Sequence, residues 1–132
     1  MQPEEVLIVL PLPDAILSPN RTVGSIGGRY AKAAAIKRYR EFAKKAIEEA
    51  RIKSAPWAKI LVKAIFYFSC NRKRDQDNAM SSLKSAYDGI VDSGLVADDD
   101  YKHMLRDTPE FLIDKFHPRV ELEITRIIGE EK

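Results

Sequence analysis

The chain has 132 residues, of which 45% are hydrophobic and 32% charged, and its formal net charge is +2. That length suits one compact core and excludes two, and the longest apolar runs, residues 6–10 and 60–68, fall far below the roughly 20 residues of a membrane-spanning helix. The lone Cys70 cannot close an internal disulfide, and so small a net charge argues for nucleic-acid binding only if the charges are segregated.

They are segregated. Lys37, Arg38, Arg40, Lys44 and Lys45 form one basic cluster, Arg72, Lys73 and Arg74 a second, and Asp98, Asp99 and Asp100 an acidic knot. Alternating sign of this kind suits a metal site that approaches a phosphate backbone; solvated surface charge is the plainer alternative. Glu4 and Glu5 stand where a secretory signal would carry positive charge, and no small-residue cleavage site closes the run behind them. A cytoplasmic protein without a membrane partner is expected.

Residues 5–10 are aliphatic and β-branched and run into Pro11 and Pro13, which predicts a strand ending in a loop. Residues 14–29 turn to Pro, Ser, Asn, Thr and Gly and read as a flexible connection. Residues 30–52 lack Gly and Pro and are rich in Ala, Lys, Glu and Arg. They predict a long helix with Ala34 or Ala35, Tyr39, Phe42, Ile47 and Ala50 near one face. Residues 58–69 are almost continuously apolar, as in a strand covered on both faces at the centre of a sheet. A helix should follow as far as Ser93, closed by Gly94. Residues 102–106 form a weaker strand candidate, the segment between Pro109 and Pro118 has no clear assignment, and residues 120–125 alternate apolar and polar with the period of a half-wet strand. These elements predict a single α+β domain over residues 1–132, with a mixed sheet of about four strands packed with two main helices in the order β-α-β-α-β-β.

Chemistry concentrates where the central strand ends, in Cys70-Asn71-Arg72-Lys73-Arg74-Asp75-Gln76-Asp77-Asn78. Asp77 or Asn78 could cap the following helix through a short side-chain oxygen. Capping needs one acid, however, and two carboxylates at i and i+2 repel each other unless cations occupy them. On a continuous helix from Asp77, the residues Ser81, Lys84 and Asp88 would fall at about 40, 340 and 20 degrees, which puts a lysine over the face of an acid. The neighbouring stripe of Met80, Leu83, Tyr87, Ile90 and Val91 would face the core. The acidic loop after Gly94 could return to the same place. Three carboxylates from two loop ends would offer the oxygen-rich, incompletely filled coordination that Mg²⁺ prefers, with waters and a substrate phosphate completing it.

Arg74-Asp75-Gln76-Asp77-Asn78, then Leu83-Lys84-Ser85-Ala86-Tyr87-Asp88-Gly89, then Gly94-Leu95-Val96-Ala97-Asp98-Asp99 resembles the signature block of RusA-like Holliday-junction resolvases, the crossover-junction endodeoxyribonucleases of bacteria, prophages and phages. The resemblance implies a magnesium-dependent nuclease of DNA recombination and repair, with Mn²⁺ as a substitute metal. Asp75, Asp77 and Asp99 would be its metal-binding catalytic acids and Lys84 its catalytic lysine. Asn78 and Arg74 would be their supporting and phosphate-contacting neighbours, with Asn20 and Arg21 of a Pro/Ser/Asn element before the long helix as further DNA contacts. The basic residues of the long helix, and Arg72, Lys73 and Arg74, would bind phosphates without reading sequence. In the compact form of the motif the lysine comes one helical turn after the second acid, where this chain has Ser81; Lys84 comes two turns after it. Asp98 and Asp100 flank Asp99 and leave the register of the third acid open. A four-way junction has two-fold symmetry, so a C₂ homodimer with two sites is the expected assembly, in a bacterial or phage-infected host cytoplasm.

Other readings have weaker support. A haloacid-dehalogenase-type phosphatase would place Asp-x-Asp directly at the strand end, whereas a basic segment intervenes here. A non-catalytic nucleic-acid-binding protein would use the basic clusters and need no acid trio. The Gly and Glu spacing of a calcium-binding EF-hand is missing after Asp75, the glycines before Tyr30 lack the Lys-Ser/Thr ending of a nucleotide-binding loop, and His103 and His117 are isolated.

Overall fold

The computed structural model describes residues 4–18 and 24–128. Strand β1, Glu5–Leu10, alternates as its sequence predicts: Ile8 and Leu10 are buried while Leu7 and Val9 are exposed. After a 3-10 turn at Ala15–Leu17, helix α1 runs over Ile26–Ala50. It begins earlier than composition predicts, because the Ser25 hydroxyl accepts a hydrogen bond from the Gly28 N–H at 3.0 Å and caps a first turn that contains Gly27 and Gly28. The expected loop is correspondingly shorter. Ala35, Tyr39, Ala43 and Ile47 form the buried face of α1, whereas Phe42 and Ala50 are exposed. The buried row follows i, i+4 spacing, which leaves Phe42 and Ala50 to its side.

Strand β2, Ile60–Phe68, is the centre of the sheet. Strand β5, Arg119–Arg126, pairs antiparallel along one edge of it, and β1 pairs antiparallel with β5. On the other edge β3, Met104–Arg106, lies parallel to the first half of β2, and β4, Glu110–Ile113, lies parallel to the second half. The unassigned segment between Pro109 and Pro118 thus supplies a fifth strand. β4 is short and mostly exposed, so its extended state is set by pairing with β2 and leaves little pattern in the sequence.

The helix expected as far as Ser93 is two pieces, α2 over Gln76–Ser81 and α3 over Lys84–Asp92. The break falls at Ser82 and Leu83. The Ser82 hydroxyl donates back to the Ala79 carbonyl at 2.7 Å, a local bond that competes with the helical ladder. Leu83 is fully buried. Gly94, with φ +89, then turns the chain out of α3. Ile8, Val62, Phe66, Leu122 and Ile124 of the sheet share one core with Tyr39, Ala43, Ile47, Ala86 and Ile90 of the helices. The domain is therefore α+β with α1 and α3 on one face of a five-stranded mixed sheet. Among the described residues no helix is long and apolar enough to cross a membrane.

Candidate functional site

Where β2 ends, the chain passes through Ser69 to Arg74 into α2. Arg74 folds back over the strand end, its guanidinium carbon 3.7 Å from the centroid of the Phe68 ring and its Nη2 donating to the Cys70 carbonyl at 3.4 Å. Arg72 and Lys73 remain exposed. The capping residue of α2 is Asp75, not Asp77 or Asn78: its Oδ1 accepts from the backbone N–H groups of Asp77 at 2.8 Å and Asn78 at 3.2 Å. Asp75 can reach both because it sits at extended φ/ψ just before the first helical residue. Asn78 then lies beside it in a cleft that includes Asp14, Arg74, Phe66 and Phe68. Asn20 and Arg21 lie outside the described residues.

Asp77 belongs to the other side of α2. It is exposed in the first turn, one turn ahead of Met80 and Ser81, and those two residues line a second cleft with Lys84, Tyr87, Asp99 and Arg106. The acidic loop does return to the helix, and its landing point is Lys84. The Lys84 ammonium, at the start of α3, donates to Asp99 at 2.7 Å and to Asp88 at 2.9 Å. The Asp88 contact confirms that Lys84 and Asp88 share a helical face at i and i+4. The break at Leu83 does not scatter the expected face: Ser81 at the end of α2 and Lys84 and Asp88 of α3 still line one cleft together, and Lys84 pairs with Asp99 and Asp88.

The three aspartates differ in their contacts. Asp98 accepts from the Asp99 N–H at 2.7 Å, Asp100 is held by the His103 ring, and Asp99 alone of the three reaches Lys84. Hydrogen bonding to the Lys84 ammonium holds the Asp99 carboxyl below its ordinary range, and the same bond raises the Lys84 ammonium above its own.

Arg106 is the site residue that sequence reasoning passed over. At the end of β3, it places its guanidinium carbon 4.4 Å from the centroid of the Tyr87 ring and sends Nη2 to the Asp99 carbonyl at 3.2 Å and to its carboxylate at 3.5 Å. Only its position at the end of the weak strand candidate could have drawn attention to it.

Three carboxylates are hard oxygen donors of the kind Mg²⁺ takes. In placement they are divided: Asp75 lines one cleft, Asp99 the other, and Asp77 stands on the second side of α2. Among the described residues no group of three or more His, Cys, Asp or Glu side chains stands together as a metal-binding cluster. The second cleft as it stands sets two cations, Lys84 and Arg106, against Asp99, with Asp88 also on Lys84, and this leaves Arg106 the less paired charge for an oxyanion. No family model matches the chain, and no curated protein matches it.

Proposed function

We propose that the protein is a magnesium-dependent, structure-selective endodeoxyribonuclease that cuts four-way or related branched DNA as a homodimer. The observation that supports this most is the Lys84–Asp99 pair at 2.7 Å, which joins the lysine and the third acid of the resolvase-like block across a loop. Asp75, Asp77 and Asp99, which stand apart here, would have to be drawn together around the metal to hold it. When bound, Mg²⁺ supplies an activated water and neutralises charge developing on the scissile phosphate. Lys84 would release Asp99 to the metal and remain beside the phosphate as a cation or proton donor. Asp77, exposed one turn ahead of the second cleft, is the acid freest to meet a substrate. Arg72 and Lys73 would bind flanking phosphates without reading sequence, and binding should fall steeply with salt.

A second reading, a nucleic-acid-binding protein without catalysis, is favoured by the commitment of Asp75 to a helix cap and of Asp99 to two cations. Incubating the chain and its Asp77→Asn variant with a labelled four-way junction and a matched linear duplex, with and without Mg²⁺, separates the two. Cutting of the junction by the wild type only, and only with Mg²⁺, is the expected result. Equal cutting by both proteins, or binding by both without cutting, would sink the catalytic reading.

A further inference from the structure

We propose that Arg106 is a phosphate-contacting residue that takes one backbone phosphate of bound DNA in the second cleft; this rests on the DNA-directed reading above. Its guanidinium lies against the face of Tyr87, a ring only 3% exposed and therefore fixed by the core. That platform holds the planar group in one orientation at the wall of a cleft of about 610 Å³. Both of its polar contacts, to the carbonyl and the carboxylate of Asp99, are made by Nη2. Among the described residues neither Nε nor Nη1 has a hydrogen-bond partner, so much of the guanidinium fork is available to a ligand.

The charges around the cleft point the same way. Its lining carries two cations, Lys84 and Arg106, and one carboxylate, Asp99, and Lys84 is also paired with Asp88 at 2.9 Å. Lys84 makes the short contact to that carboxylate, 2.7 Å against 3.5 Å for Arg106, so the less committed positive charge is that of Arg106. A planar fork with free donors, stacked on a fixed ring and beside a second cation, matches the paired oxygens of a phosphodiester. Arg106 also reaches Asp99, so a phosphate bound there would lie next to the proposed metal-holding acid.

The test measures binding of a fluorescent four-way junction by anisotropy in EDTA, where no cutting occurs, across a series of KCl concentrations. Removing one phosphate contact in Arg106→Gln should weaken binding several-fold at low salt and reduce the slope of log K against log[salt] by about one. Arg106→Lys keeps the charge, so it should keep the slope while binding more weakly than wild type, since an ammonium cannot fork. A merely structural role would lower affinity without moving the slope. A second measurement uses the wild type alone: the bound junction should slow phenylglyoxal labelling of Arg106, read by mass spectrometry. An unmoved slope in Arg106→Gln, or equal labelling with and without DNA, would overturn the role of Arg106. A wild-type chain that binds no junction overturns the DNA-directed reading together with it.

Discussion

Lys84 and Asp99 stand 15 residues apart in the chain and 2.7 Å apart in space. Lys84 is 64% exposed and Asp99 22%, so water and salt screen the pair strongly. A double-mutant cycle with Lys84→Gln and Asp99→Asn should return a coupling of only about 0.2–1 kcal/mol. Its pH dependence has two edges. The Asp99 carboxyl is held below its ordinary 3.8, so its share is present above that value and lost as pH falls through the depressed one. The Lys84 ammonium is raised above its ordinary 10.5, so its share is complete below that value and lost as pH rises through the raised one. Coupling measured by urea denaturation should be flat at neutral pH and vanish at both extremes; a coupling that changes near pH 7 would contradict the assignment.

Asp75 caps α2 through its Oδ1, and the proposed nuclease would use its charge as well. Asn caps helices as well as Asp does, whereas Ala does not. Asp75→Ala should therefore lose about 0.5–2 kcal/mol of stability, and Asp75→Asn should retain most of it. If the carboxylate serves a metal, both variants lose Mg²⁺-dependent cleavage equally. Cleavage that tracks thermal stability across the two variants would assign Asp75 to the cap alone.

The contact between α1 and α3 rests on Gly89. A Cβ built there would stand 2.1 Å from the Arg40 carbonyl oxygen and 2.9 Å from the Ala43 Cβ. The first of these neighbours is backbone and cannot rotate away. One turn on, Arg40 reaches Asp92 with Nη2 at 2.8 Å, which fixes the same crossing. Gly89→Ala gains about 1 kcal/mol of helix propensity but must push the helices apart, an overpacking cost of about 1–3 kcal/mol or more. A net loss of stability in chemical denaturation is expected. An increase would mean that the helices can separate freely at this point.

How much of this was legible in the sequence follows from what fixes each element. β1 and β5 were readable because one face is buried and the other wet. β2 was readable as a central apolar strand, but it is not fully covered on both faces, since Ile60, Val62, Ala64 and Phe66 are buried while Leu61, Lys63 and Tyr67 are only half-buried. β4 was not, since residues 110–113 acquire strand geometry from the second half of β2. Asp75, Asp77 and Asn78 are all competent caps, and which one serves depends on how the chain leaves Phe68, where Arg74 folds back onto the ring. The helical spacing that puts Ser81, Lys84 and Asp88 on one side survives the break at Leu83, but the partner of Lys84 across the cleft, Asp99, comes from the loop and no local spacing reveals it. Arg106 owes its place to Tyr87 beneath it and to Asp99 beside it, neighbours that no local pattern reveals.

Asp77 offers the sharpest test of the metal, because it is exposed and its side chain accepts no hydrogen bond from another described residue. An exposed substitution of this kind should move stability by no more than about 0.5 kcal/mol, so Asp77→Asn in EDTA should melt with the wild type. An ion that binds only the folded chain stabilises it by mass action, about 2.7 kcal/mol at a hundredfold excess over Kd. Mg²⁺ should therefore raise the melting temperature of the wild type and leave that of Asp77→Asn almost unmoved. Asp99→Asn should lose the response too, while Lys84→Gln, which frees Asp99 from its ammonium, should respond at lower Mg²⁺ than the wild type. That last outcome is the most discriminating. If Lys84 held Asp99 only as surface decoration, its removal would leave the Mg²⁺ midpoint where it was, and a midpoint shifted to higher Mg²⁺ would mean that Lys84 positions the acid for the metal instead of competing with it.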